Sequence, residues 1–467
     1  MPDTIPATTP VLPRPPMPTR RLTQLETLRT IRRNPIELWG EAAFAQPVLA
    51  GRLLGRHRVL LNSPQAIRHV LLDNVENYGR TPASRRVLGP ILGEGLLLAE
   101  GNDWRLQRRT VAPALAPRMM PMLCRHIAQA AEEAEATLHA RIARGESAID
   151  LYAVLQHLTL TIAGRSMFSL EMDAHGDRLR ALVHRYTTRQ GGVRMLDMML
   201  PPRIPSPADL GRFAFRAEWR RFMGEIVRAR AARDAGSAEE APTRDLYDML
   251  RAARDPETGQ GFTPDQLRDE ISTLILAGYD TTTVALFWSC YLAVLFPEQQ
   301  ERIAAEAAPL DLSPEGAAAA ECALPETRAH LEETMRLYPP AFAIMREALG
   351  PDRLPGVDVE VGPRSVITIA PWVLHRHRTL WQDPERFDPA RFLPGAPAPD
   401  RFAYMPFGAG PRICVGARFA MAEAMLVLAR LLRSFRLEFA ADPAVVPVGR
   451  VITQPDRRVP FRLVPRR

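Results

Sequence analysis

Apolar residues recur every three to four positions over most of this chain, and only short stretches alternate. The helical period predicts helices at 64–74, 102–115, 119–143, 151–169, 175–189, 207–234, 264–296, 298–307, 323–337 and 417–433. Residues 47–62, PVLAGRLLGRHRVLLN, read instead as strand, Gly turn and strand, and short Pro-bounded strand patterns return over 353–369 and 446–464. Helices outnumber strands and no repeat period is evident, so the expected fold class is mainly α with a small β region. The 264–296 helix has the best-marked start: Thr263 as N-cap, Pro264 in the first turn and Gln266 as capping-box partner.

That helix raises a membrane question, because Asp280 is the single charged residue in the 27 positions from Ile271 to Pro297. Length alone would allow a span. Its centre, however, carries Gly278, Asp280 and Thr281-Thr282-Thr283, with further hydroxyls at Ser272, Thr273 and Ser289. A lone Asp at bilayer depth costs roughly several kcal/mol. A helix buried through the middle of a soluble protein fits better, and no integral membrane segment is expected.

Composition adds three constraints. Seven of the first 20 positions are Pro, so residues 1–20 read as an extended, disordered arm and 21–467 as a single domain; an apolar fraction of 46% suffices for its core. The formal charge is +7 and every basic residue is Arg, yet the arginines are scattered among acids with no aromatic-basic motif. That excludes nucleic acid and leaves an acidic protein partner open. Cys124, Cys290, Cys322 and Cys414 share no paired spacing and no signal peptide precedes them, which argues against a disulfide framework or zinc site and for the cytoplasm.

The chemistry gathers in four motifs. In FGAGPRICVG, Phe407 to Gly416, Cys414 would lie at the N-terminus of a helix, where unpaired N–H groups and a bound metal favour a thiolate. Gly408, Gly410 and Gly416 clear side chains from backbone that would press on a flat group, and Arg412 offers a charge to a carboxylate. In AGYDTT, Ala277 to Thr282, a helix-interior Gly costs about 1 kcal/mol and β-branched threonines add strain, so an opened turn beside a groove is expected; threonines back-bonding to helix carbonyls are the alternative. ETMRLYPP puts Glu333 and Arg336 three apart on one helix face, in an apolar setting that suggests a buried pair. WRLQR puts Trp104 and Arg108 on one face, both of them hydrogen-bond donors.

The spacing F-x-x-G-x-R-x-C-x-G resembles the cysteine loop of the cytochrome P-450 haem-thiolate family, and the other motifs follow in that family's order over about residues 40–465. The resemblance implies a fold of about a dozen helices with haem b between the central long helix and the cysteine loop. It implies Cys414 as iron ligand, Phe407 and Gly416 as parts of the cofactor loop, and Trp104, Arg108, Arg346 and Arg412 as propionate donors. Thr281 would hydrogen-bond dioxygen, Asp280 would relay protons, and Arg386 would complete a Glu333-Arg336-Arg386 cluster.

The function so implied is a monooxygenase inserting one atom of O2 into a lipophilic substrate, by C–H hydroxylation or epoxidation. A peroxide-driven hydroxylase and a non-enzymatic haem sensor are the alternatives, and the Asp280-Thr281 pair argues against both. Because the chain stops about fifty residues after Cys414, electrons would come from a separate ferredoxin or flavodoxin with its reductase, docking near Arg105, Arg109 and Arg418. By family position the substrate would touch residues 80–100, 190–215, 273–281 and Ala341 to Met345. The apolar side chains there, Val87, Leu88, Ile91, Leu92, Leu96 and Leu97, then Val193, Met195, Leu196, Met198 and Met199, suggest a fatty acid or terpenoid.

Overall fold

The central helix runs from Pro264 to Leu295 and starts as its capping residues dictate. Gln266 N–H donates to Thr263 Oγ1 at 3.3 Å and Thr263 N–H to Gln266 Oε1 at 2.9 Å. It ends at Phe296, because the ring of Pro297 disfavours helical backbone in the residue before it. Being apolar nearly all round, it must be covered on every side. Leu151–Phe168, Pro325–Leu337 and Ala417–Ser434 cover it. Trp288 stacks on Tyr338 at 4.2 Å and donates its indole N–H to the Thr453 carbonyl at 3.1 Å. The expected opened turn at Gly278 is absent: the helix is continuous, and Thr281 Oγ1 donates to the Ala277 carbonyl at 2.5 Å. Back-bonding gives the hydroxyl a partner without breaking the ladder.

This is a computed structural model, and it describes residues 10–168, 173–200, 204–235 and 245–466. Among these, no single helix is long and apolar enough to cross a membrane; the central helix and Pro297–Ala307 pass such a test only as a pair bent by 114°. The ten expected helices are present with ends shifted by a few residues, and 64–74 is an α-helix, Pro64–Arg68, widening into a π-turn, His69–Asp73. Helices at Gln24–Arg33 and Pro82–Leu92 were not expected from the pattern. The first is mostly polar, and the second contains Pro90 behind a Thr81 cap.

The strand-turn-strand over 47–62 is a hairpin, Val48–Leu53 and Arg56–Leu61, closed by Leu54 at φ 52° and Gly55 at φ 75°, the left-handed pair that a two-residue turn needs. It joins a five-stranded sheet in which Arg56–Leu61 lies parallel to Val366–Ile369, followed by Ile344–Ala348 and Tyr78–Gly79. Of the Pro-rich start, residues 1–9 lie outside the described residues. Residues 10–20 form no helix or strand but are docked: Tyr338 donates its hydroxyl to the Pro13 carbonyl at 3.0 Å and Arg14 pairs with Glu385 at 3.2 Å.

Glu333 and Arg336 are fully buried and bonded twice, at 2.6 and 2.8 Å. The remaining guanidinium donors go to the carbonyls of His375, Pro384 and Arg386, at 2.7 to 2.8 Å. The expected role of Arg386 is thereby corrected: it contributes its carbonyl, while Arg391 is the second guanidinium near Glu333, at 3.6 Å. Arg391 follows Asp388, whose N–H also binds Glu333, and that turn aims the later arginine inward.

Glu270 on the central helix is fully buried, and neither carboxylate oxygen has a full hydrogen-bond partner, the Leu96 amide nearby giving only weak support. Burial raises its pKa to about 8. A raised acid stabilises the fold fully below its unfolded value, about 4.3, and loses that contribution as pH climbs through about 8. Glu270→Gln should therefore gain on the parent as pH rises, by roughly 2–4 kcal/mol near pH 8. Paired denaturant melts from about pH 5 to 8 check this; parallel pH profiles would refute the assignment.

Candidate active site

The cysteine loop is fixed by its own backbone. Cys414 N–H donates to the Phe407 carbonyl at 2.9 Å and Ile413 N–H to the Gly410 carbonyl at 3.1 Å. Gly408 and Gly410 take φ of 75° and 74°, a region L side chains avoid. For Gly410 the reason differs from the one expected: an added Cβ would stand 2.0 Å from the Leu71 carbonyl, so it clears protein rather than a cofactor. Gly416 caps the helix Ala417–Ser434. Burial raises the Cys414 thiol above its ordinary value, opposed by the Gly416 amide and the Arg108 guanidinium. Helix-end stabilisation is thus present but outweighed. Although protein surrounds it, Cys414 has accessible surface, because it lines a cavity of about 1720 Å³.

The four expected donors meet in that cavity with Cys414, but each already has a protein neighbour. Arg412 lies over the Trp104 ring at 4.6 Å and pairs with Glu100 at 2.6 Å. Arg108 donates to the Ile413 carbonyl at 2.8 Å, tying the helix Gly101–Val111 to the cysteine loop. Arg346, only 5% exposed, bonds the Met345 carbonyl at 3.0 Å. Sequence reasoning missed Arg80, which also lines the cavity and whose buried Nε has no partner. Burial, then the Arg412 charge, lowers Arg80 to about 10, and burial, then the Arg80 and Arg412 charges, lowers Arg346 to about 9, while Glu100 is the acid acting on both. Three guanidiniums against one carboxylate leave a site short of negative charge.

Asp280 and Thr281 line the same cavity on the central helix. The Asp280 carboxyl has no hydrogen-bond or ion-pair partner among the described residues, and burial raises it to about 6. A second acid, unforeseen, is Glu423 on the cysteine helix: fully buried, close to Thr282, and held well above the ordinary carboxyl range by burial. No motif spacing marked it, since inward-facing glutamate looks like any helix-surface residue in sequence.

The porphyrin implied by the cysteine motif fits these residues. A thiol, a surplus of guanidiniums matched to two carboxylates, and glycines at 278 and 416 where an added Cβ meets nothing within 4 Å all border one space. Of the expected apolar wall, Val87, Leu88, Ile91, Leu92, Leu96, Leu97, Val193 and Met198 line the cavity. Met195, Leu196 and Met199 do not; they face solvent from the short helix Met195–Met199, the two methionines 47% and 50% exposed. Residues 201–203 of the expected segment lie outside the described residues.

The docking surface also changes. Arg105 pairs with Glu76 at 2.7 Å, and Arg109 with Asp255 at 2.7 Å and Glu257 at 3.0 Å, so of the three only Arg418 is exposed without an ion pair.

The family model of cytochrome P-450 matches residues 13–457. Cyclooctat-9-en-7-ol 5-monooxygenase of Streptomyces melanosporofaciens is 29% identical over 87% of this chain and 85% of its own. The human ultra-long-chain fatty acid omega-hydroxylase is 29% identical over 75% of this chain and 68% of its own. In fold, the crystal structure of the cytochrome P-450DA heme domain superposes with a TM-score of 0.80, at 21% identity, over 98% of both chains.

The charge surplus predicts opposite signs for two measurements. Arg80→Leu or Arg346→Leu should raise the melting temperature of haem-free protein, by removing a poorly paired buried charge. Each should also weaken haem binding by roughly tenfold or more, through loss of a charge-assisted bond. Thermal melts and haem titration read the two; a change of the same sign in both would contradict the assignment.

Proposed function

The chain belongs to the cytochrome P-450 family, whose monooxygenases carry a haem-thiolate cofactor, and on that premise we propose that it oxidises a lipophilic substrate with electrons from a separate ferredoxin- or flavodoxin-type protein. The carrying observation is the unpartnered Asp280 carboxyl beside Thr281, on a helix that shares one cavity with Cys414 and the arginine cluster. Four unpaired cysteines support the cytoplasm as its compartment. The names of two relatives, a monooxygenase of a cyclic alcohol and a fatty-acid hydroxylase, support an apolar substrate.

Cys414 would hold the iron, and Arg80, Arg346 and Arg412 the propionates; Trp104 keeps the Arg412 guanidinium in place. The bound haem supplies oxygen activation and transfer of one oxygen atom, the other leaving as water with two protons and two electrons. Asp280, with a pKa near 6, can take a proton from solvent and release it at neutral pH. Thr281 Oγ1 donates to Ala277 at rest and would turn that proton into the cavity when a stronger acceptor arrives. Leucines and valines on the wall exclude competing water.

Reduced protein under carbon monoxide should show the far-red Soret band of a thiolate ligand, and Cys414→Ser should lose it. Haem-replete parent without that band would end this reading. Thr281→Ala should still consume electrons and dioxygen but divert most of them to hydrogen peroxide. Product and peroxide assays per electron consumed decide it, and unchanged coupling would remove Thr281 from proton delivery.

A further inference from the structure

Arg58 is a charge the monooxygenase reading does not use. It sits on the hairpin strand Arg56–Leu61, whose alternate residues Arg56, Arg58 and Leu60 share one face and line the cavity. Its neighbour Arg56 is neutralised by Glu347 at 3.2 Å. Arg58 has no such partner: its Nε is buried without a hydrogen bond, and Nη2 reaches only the Met198 sulfur, at 3.3 Å. A thioether is a weak acceptor and carries no charge. Burial and the nearby Arg56 both act against the Arg58 charge.

A second guanidinium approaches the same spot. Gly51 is the strand partner of Arg58, and a Cβ built on Gly51 would stand 3.7 Å from Arg21 Nη2. Arg21 makes no ion pair among the described residues and is exposed, so this end of the cavity lies toward solvent. Acids do not offset it. The acidic residues on the cavity wall are Asp280 on the central helix and Glu41, already bound to Arg378. The same cavity that holds this end and Cys414 is lined by the apolar side chains of Val87, Leu88, Ile91 and Leu92.

We propose that Arg58, assisted by Arg21, is an anion subsite, and that the substrate is a lipophile ending in a carboxylate, held with its charged head at the hairpin and its tail toward Cys414. This deepens the monooxygenase reading and rests on it. A carboxylate there would give Arg58 the bidentate partner that Glu347 gives no room for, since Glu347 is spent on Arg56. An apolar chain of matching length would fill the wall beyond.

The test compares dodecanoate with dodecan-1-ol, the same chain with and without the charge, by calorimetric titration of the haem-loaded protein at about pH 8, below micelle-forming concentrations. The parent should bind the acid roughly 10- to 100-fold more tightly than the alcohol, and the preference should shrink with salt. Arg58→Gln should lose most of that preference while its affinity for the alcohol stays unchanged, which also reports that the cavity is intact; Arg58→Lys should keep part of it. If Arg58→Gln does not fold, Arg21→Gln and the parent comparison still decide. A parent that binds alcohol as tightly as acid, with its thiolate-type carbon monoxide band present, overturns the anion subsite alone. Absence of that band overturns the monooxygenase reading and this inference with it.

Discussion

The cysteine loop can hold its sulfur in place only because the segment before it is pinned, and the pin is the buried Arg336. A guanidinium has five N–H donors in one plane. Here all five are used, two on Glu333 and three on the carbonyls of His375, Pro384 and Arg386. Those carbonyls belong to a stretch with almost no regular structure, which hydrogen bonding within a helix or sheet could not order. His375 then passes the constraint on, its imidazole accepting the Met405 N–H at 3.0 Å, two residues before Phe407. Phe407 in turn takes the Cys414 N–H. Removing either member of the pair would strand a buried charge, so the lock is worth more as a positioning device than as net stability.

The second constraint is electrostatic. One cavity has a surplus of positive charge near Cys414, another at the hairpin, and one unpaired acid on the central helix. Guanidiniums are held charged even where burial lowers them, as at Arg80 and Arg346, because their ordinary values are so high. A carboxyl is different. Burial without a partner moves Asp280 into the range where it exchanges protons near neutrality. The same physics therefore yields fixed charges for binding and a labile proton for chemistry, according to residue type.

How much of this could be read from sequence depends on whether a feature is local. Helices with a long period, the Thr263-Gln266 cap, the Glu333-Arg336 spacing and the cysteine loop are local, and each is where the pattern put it. Arg391 rather than Arg386 near Glu333, and Arg80 beside Arg346, depend on how distant turns meet, and sequence offers no register between them. Met195 and Met199 looked like wall residues because they are apolar, yet a one-turn helix can present them to solvent as easily as to the interior. Gly278 suggested an opened turn, but the alternative for that run holds: the helix is continuous and the Thr281 hydroxyl back-bonds to Ala277.

The sheet explains why binding charges can be set without disturbing the cysteine loop. Consecutive residues on a strand point to opposite faces, so on Ile344–Ala348 Arg346 is directed to the cluster with Arg80 and Arg412, while Glu347 is directed to Arg56. Glu347 pairs with Val366, and Val366 with Arg58, which fixes Arg58 two strands away in the same row. Strand spacing puts both hairpin arginines about 10 Å or more from Glu347 along the backbone, so side-chain direction decides the pairing, and it is Arg56 that meets the acid, at 3.2 Å. Arg56 takes the acid and Arg58 is left facing the cavity. Sheet register places Arg58 in the acid's row without pairing the two, and a rigid element is where a recognition charge is most accurately held.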